Sequence, residues 1–216
     1  PERFVQFGVS EQSLAAIAAG FALAGKIPVI ASYAAFSPGR NWEQIRTTIA
    51  YNDRPVKIVG SHAGISVGPD GGTHQAIEDL AITRVIPRMV VISPCDSIEA
   101  KKATLAAAKT STPVYIRLGR EKTPVITTEE TPFEIGKAQV FWDSEKSESG
   151  KESGKTPDVL IVATGALVHK ALVVAHEMAH DGTNISVINL ATIKPLDEKT
   201  IIEHAKKAGA VVTVEE

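Results

Sequence analysis

Short apolar runs alternate with helically spaced stretches along almost the whole chain, and this alternation restricts the fold more than any other feature. Leu14, Ile17 and Phe21 recur at helical spacing within the Ala-rich segment 11–24, which predicts a buried helix ended by Gly25. The run 27–33 (IPVIASY) reads as a buried strand and 42–50 as part of a helix. Residues 56–60 (VKIVG) form a strand that feeds a glycine-rich loop, and 73–84 is expected to be helical. A strand at 89–93, a helix at 96–109 capped by Asp96 or Ser97, and a strand at 114–118 follow. Strands alternating with helices define an α/β domain with a mainly parallel sheet.

The pattern breaks after residue 121. Residues 144–157 (SEKSESGKESGKTP) contain no large apolar side chain, so they cannot build a core and read as a solvated hairpin or linker. Residues 133–142 can supply one or two strands before it. A second α/β unit then begins with a buried strand at 158–163. A helix over 167–180, a strand at 185–190, a helix at 196–208 and a strand at 211–214 complete it. This is the βαβαβ start of a doubly wound sheet. The predicted organisation is one α/β domain over 1–121, a linker over 122–157 and a partial second α/β domain over 158–216. The chain opens on an expected strand and closes on another, so both ends read as internal to something longer.

Composition excludes several function classes. The 216 residues carry 23 Lys+Arg against 25 Asp+Glu, a net charge of −2, which lacks the basic footprint of a nucleic-acid binder. A single cysteine, Cys95, rules out an internal disulfide and any multi-cysteine metal site, and fits a reducing compartment such as the cytoplasm. No apolar run approaches the roughly 18 residues of a membrane span.

Three local patterns carry chemistry. His176-Glu-Met-Ala-His180 matches the HExxH zinc-protease signature, but Asp181-Gly182 stops the helix just after the second histidine and no further histidine follows at the metzincin spacing. It therefore reads as ordinary helix surface rather than a metal site. The segment 60–75 (GSHAGISVGPDGGTHQ) packs five glycines, two histidines and an aspartate into 16 residues. It follows a buried strand, at the sheet edge where α/β ligands bind. Glycines permit close backbone approach, and imidazoles with a carboxylate can bind hydroxyls or move protons. Glu11, between Ser10 and the Ala-rich helix, reads from spacing alone as a first-turn acid complementing the helix dipole, with Ser10 as N-cap. No G-x-G-x-x-G or Walker sequence is present.

Taken in order, these segments resemble the pyrimidine-binding half of a transketolase. Arg3-Phe4 through Phe7-Gly-Val-Ser-Glu11-Gln12 resembles the strand-loop-helix that carries the family's activating glutamate. Tyr33-Ala-Ala-Phe36 resembles the aromatic pair lining the coenzyme ring pocket. Ser61-His62 through Asp70-Gly-Gly-Thr-His74-Gln75 resembles the substrate loop, and Arg117-Leu-Gly-Arg120 its phosphate-binding end. The part from Asp158 resembles the first half of the family's third domain. The resemblance implies a thiamine-diphosphate pyrimidine-binding domain followed by the start of a transketolase C-terminal domain. It also implies transfer of a two-carbon ketol unit from a ketose phosphate to an aldose phosphate. By that resemblance Glu11 bonds to the coenzyme pyrimidine, and Tyr33 and Phe36 hold the ring. His74 contacts reacting hydroxyls or assists proton transfer, Asp70 binds a substrate hydroxyl, and His62 and Arg120 hold the sugar phosphate.

The family's GDG…Asn motif for magnesium and diphosphate is absent. The resemblance thus places the Mg ligands on a pyrophosphate-binding partner chain or parent region, and it implies pairing of two copies of this half. Two alternatives stay open: an enzyme similar to 1-deoxyxylulose-5-phosphate synthase, which usually has another residue where His62 stands, and a non-catalytic assembly subunit of a thiamine-diphosphate complex.

Overall fold

A computed structural model describes residues 2–143 and 156–216. Part of the expected linker, 144–155, lies outside the described residues. The chain divides into two units: Pro1–Val91 with Thr104–Glu121, and Ile92–Ala103 with Lys122–Glu216.

The first unit starts with helix α1 (Glu11–Leu23), strand β1 (Val29–Tyr33) and α2 (Trp42–Gln44), which runs into a π-helical segment, Ile45–Ala50. Strand β2 (Lys57–Ser61) and helix α3 (Asp79–Arg84) follow. After β3 (Val90–Ile92) and α4 (Ser97–Ala108), strand β4 (Val114–Arg117) completes the sheet of this unit. β1, β2 and β4 run parallel, with Tyr33 opposite Ser61 and Gly60 opposite Arg117. Their carboxyl ends therefore share one edge. α1 enters β1 through a short turn, so its amino end lies at that same edge. The side chains of β4 are buried along its whole length, as a central strand of a covered parallel sheet requires.

Several sequence expectations are corrected: Ile17 and Phe21 of α1 face outward rather than into a core, and only Ile30 of β1 is buried. Residues 3–9 form no strand; Phe4, Val5 and Val9 are exposed, and among the described residues no strand pairs with them. Ser10 sits at the head of α1 but makes no side-chain capping bond. The helix expected from residue 73 starts only at Asp79. The preceding loop is tied down instead, by Gly64 N–H donating to the Ala76 carbonyl at 2.9 Å and by an Ala63–Ala76 bridge. Asp96 does cap α4, its carboxylate accepting from Glu99 N–H at 2.8 Å.

The second unit is built on strands β5 (Gln139–Trp142), β6 (Val159–Ala163), β7 (Ile185–Asn189) and β9 (Ala210–Val214), with helices α5 (Leu167–His180) and α6 (Glu198–Ala205) and a three-residue strand, β8 (Thr192–Lys194). The order is β5-β7-β6-β9, with β7 and β9 parallel to β6 and β5 antiparallel at the edge. Alternate residues of β6 face opposite layers. Ile161 and Ala163 pack with Val168, Ala171 and Ala175 of α5. Leu160 and Val162 pack with Ala205 and Ala208 on the α6 side. One helix on each face is the doubly wound arrangement the sequence predicts.

Candidate functional site at the carboxyl edge of the first unit

Four ring side chains come together where β1 and β2 end. The turn after β1 is closed by Phe36 and Ser37 N–H groups donating to the Tyr33 carbonyl at 2.9 and 2.8 Å. This sets the Tyr33 and Phe36 rings nearly parallel, with centroids 6.4 Å apart and planes 12° from one another. His62 stacks on Tyr33 at 3.9 Å and 13°. His74 stands edge-on to both, 5.2 Å from Phe36 and 6.1 Å from Tyr33. Two histidines twelve positions apart in sequence thus share one aromatic surface.

The loop between them is shaped by its glycines. His62 itself has a φ of +56°, a left-handed backbone uncommon for a residue with a Cβ. Its Nδ1 lies 3.1 Å from Ser61 Oγ, while His74 Nδ1 lies 2.8 Å from Thr73 Oγ1. Gly68 has a φ of +77°, and a Cβ there would stand 2.6 Å from an Arg120 guanidinium nitrogen. The Arg120 guanidinium therefore lies directly against the loop backbone at Gly68, whose left-handed φ is what favours a glycine there. Arg120 also pairs with Glu121 at 3.2 Å. Asp70 is exposed at the turn of the loop, its carbonyl accepting from Thr73 Oγ1 at 3.5 Å.

Beneath the loop lies a buried polar group that sequence reading does not reveal. Asp79 accepts from Tyr115 Oη at 2.6 Å and from Arg117 Nε at 3.0 and 3.2 Å. Burial and the neighbouring Asp79 carboxylate push the Tyr115 hydroxyl well above its ordinary pKa. Tyr115 also explains Gly60: a Cβ at residue 60 would stand 2.4 Å from the phenol oxygen. The base of the histidine loop thus rests on a fixed ion pair and a phenol, and a Gly60 side chain would push the Tyr115 ring away from Asp79.

Glu11 occupies the first turn of α1 and is 7% exposed. Its Oε2 is buried with no hydrogen-bond partner. A carboxylate oxygen held this way is costly unless a ligand supplies the missing bond. The Glu11 main-chain carbonyl accepts from the side-chain amide of Asn41 at 3.0 Å. Asn41 belongs to the turn that carries Tyr33 and Phe36.

The HExxH pattern resolves differently. His176 and His180 are exposed on α5, with their rings edge-to-face at 4.9 Å and His176 edge-on to Trp142 at 6.1 Å. Edge-to-face packing does not aim two lone pairs at one point. Among the described residues no three His, Cys, Asp or Glu side chains group as metal ligands.

The first unit is thus a parallel α/β sheet with a buried, partnerless acid, an aromatic turn and a two-histidine loop at its carboxyl edge, and the second is doubly wound. Family models agree in both parts: residues 1–125 match the transketolase pyrimidine-binding domain, and 149–216 match the transketolase C-terminal domain. The chain belongs to the transketolase family. It is 43% identical over its whole length to a Methanocaldococcus jannaschii protein named as a putative transketolase C-terminal section, of which it covers 64%. It is 40% identical, again over its whole length, to the 6-deoxy-6-sulfo-D-fructose transketolase subunit SqwH of Clostridium sp. (strain MSTE9), covering 63% of it. A solved structure described as a split gene transketolase, inactive beta4 tetramer, superposes with a TM-score of 0.87 at 40% identity; it is covered to 66%, and this chain entirely. The chain thus spans a little under two thirds of these relatives.

Proposed function

We propose that this chain supplies the pyrimidine-recognition half of a transketolase active site, whose diphosphate and magnesium half comes from a partner chain or region. The observation that carries this reading is Glu11: a buried carboxylate with a partnerless oxygen, fastened to the turn that bears two near-parallel aromatic rings. The family implies thiamine diphosphate, and these residues fit its aminopyrimidine. The ring nitrogen would supply the bond Glu11 Oε2 lacks, and the flat faces of Tyr33 and Phe36 would hold the ring by stacking. When bound, the coenzyme supplies a carbon nucleophile and an electron sink.

The chain's own residues then have separable tasks. Glu11 holds or shares a proton at the pyrimidine nitrogen. His74, edge-on to the aromatic pair, would exchange protons with substrate hydroxyls. His62 and Arg120 hold the anionic end of the sugar by charge-assisted bonds, and Asp70 binds a hydroxyl near it. A tetrahedral oxyanion is what such a pair recognises, so a sugar phosphate is the substrate class, and a sulfonate is chemically close. The exchange is a two-carbon ketol transfer from ketose to aldose. The chain acts with a pyrophosphate-binding partner and with a second copy of itself; its split-gene relative is described as a beta4 tetramer, which supports self-association.

The test is reconstitution with the diphosphate-binding partner. The assembled complex should bind thiamine diphosphate and convert xylulose 5-phosphate with an aldose phosphate. Glu11→Ala should lower turnover on the order of 10²-fold or more at saturating coenzyme, while assembly stays intact by sedimentation. Wild-type turnover in that variant removes Glu11 from the chemistry and with it this reading.

A further inference from the structure

Asn41 is a fully buried polar side chain near the carboxylate, with no exposed surface at all. One of its amide N–H groups donates to the Glu11 main-chain carbonyl at 3.0 Å and the other to Ser37 Oγ at 3.2 Å. The amide orientation follows from this: reversed, its oxygen would face the Glu11 carbonyl oxygen. Asn41 Oδ1 is buried without a partner, as is Glu11 Oε2. Two partnerless oxygens on adjoining residues are rare in a folded interior.

The position of Asn41 in its turn matters as much as its bonds. Arg40 and Asn41 N–H groups both donate to the Phe36 carbonyl, at 3.0 and 3.3 Å, and Phe36 N–H donates to Tyr33. The amide is therefore rigidly tied to both aromatic residues. At the other end, Ser10 gives α1 no side-chain cap, and the bond from Asn41 ties the first turn to the rest of the unit from outside the helix. A single side chain bridges 30 positions of sequence between the acid and the aromatic walls.

We infer that Asn41 is a positioning residue for Glu11: its amide clamp on the Glu11 main chain sets the distance and angle of the carboxylate relative to the Tyr33–Phe36 turn. This rests on the coenzyme role proposed for Glu11. A misplacement of about 1 Å in such a group can cost on the order of 10²-fold in rate, so the clamp controls turnover without touching a reacting atom. Asn41→Asp keeps the shape and removes the donor. Its carboxylate would repel the Glu11 carbonyl, whereas its protonated form would donate to it again.

The experiment compares the reconstituted complex carrying Asn41→Ala, Asn41→Asp or Ser37→Ala with wild type, and thermal unfolding reports whether each variant is folded. Asn41→Ala should lower kcat about 10- to 100-fold, with KM for the sugar donor unchanged within about twofold. Asn41→Asp should regain activity relative to wild type as pH falls, and Asn41→Ala should not. A second readout needs no turnover: the near-ultraviolet circular dichroism of bound thiamine diphosphate should weaken in both Asn41 variants, and hydrogen exchange at residues 11–15 of the free chain should speed up. If Asn41→Ala fails to fold, the isosteric Asn41→Asp and the milder Ser37→Ala decide. Folded variants with wild-type kcat, pH profile and coenzyme dichroism overturn the inference. If Glu11→Ala abolishes turnover in the same assay while these do not, only the clamp fails. If Glu11→Ala is itself active, the reading beneath it fails.

Discussion

At the scale of single residues, chemistry is set by which side chains are left without partners and which are closed off. Cys95 illustrates closure. It is 1% exposed, its N–H donates to Glu99 Oε2 at 2.7 Å, and Asn189 Nδ2 donates to Glu99 Oε1 at 2.8 Å. Burial first, then the Glu99 carboxylate, pushes the thiol far above its ordinary pKa. Burial likewise raises Glu99. Because the thiolate is the reactive species, native protein at pH 8 should react with a thiol-exchange reagent at less than about 1% of the rate of a free thiol. Full reactivity should appear only in denaturant. Rapid, stoichiometric labelling of the native chain would show that the thiol is accessible. Residues of this kind mark the limit of sequence reading. The glycine-rich loop marks His62 and His74 in the sequence, whereas Tyr33 and Phe36 stand out only by the transketolase resemblance; the structure brings the four rings together. Asn41, Asp79 and Tyr115 were not legible, because their partners lie 30 and 36 positions away and nothing local announces the pairing.

At the scale of elements, the strand–helix rhythm was legible wherever an element buries a continuous apolar face, as β4, β6, β7 and α5 do. It failed where tertiary contacts decide. The stretch before Asp79 has helical composition, yet the backbone bond from Gly64 to Ala76 holds it as a loop. β8 is three residues long, too short for a periodic signal. The start of β2 shows how an element end can impose a pH dependence. Lys57 is buried, and its Nζ donates to the Thr110 and Thr112 carbonyls at 3.0 and 2.8 Å and to Thr110 Oγ1 at 2.9 Å. Burial lowers its pKa from 10.5 to about 8. The unfolded chain therefore binds more protons than the folded one between those values, and through this group stability rises with pH across that window. The penalty on the charged amine is fully present below pH 8 and fades above it. Urea unfolding at pH 7.5 and 9.5 should show wild type gaining stability relative to Lys57→Met as pH rises. A difference that does not change with pH would mean the amine titrates normally.

At the scale of the whole molecule, the surface of the first unit is unfinished. α1 buries Ala15, Ala18, Ala19 and Ala22 against its own sheet, yet Ile17, Phe21 and Leu23 are 43, 44 and 68% exposed. Phe4 and Val9, just before the helix, are exposed at 69 and 89%. A helix that is apolar all round belongs in an interior, and contiguous exposed apolar surface of this kind marks an interface. The same helix carries Glu11 at its head, so whatever covers α1 also encloses the acid's neighbourhood. A second copy of this chain is the occupant proposed, in keeping with the self-association argued above. Light scattering on the isolated chain should therefore report an oligomer, and Ile17→Lys with Phe21→Lys should shift it to monomer. Secondary structure should stay intact, because both side chains already face outward. Thiamine diphosphate binding to the reconstituted complex should fall with it, since the helix that carries Glu11 at its head then loses its cover. If the double variant stays oligomeric and binds coenzyme normally, the apolar face of α1 is not where the copies meet.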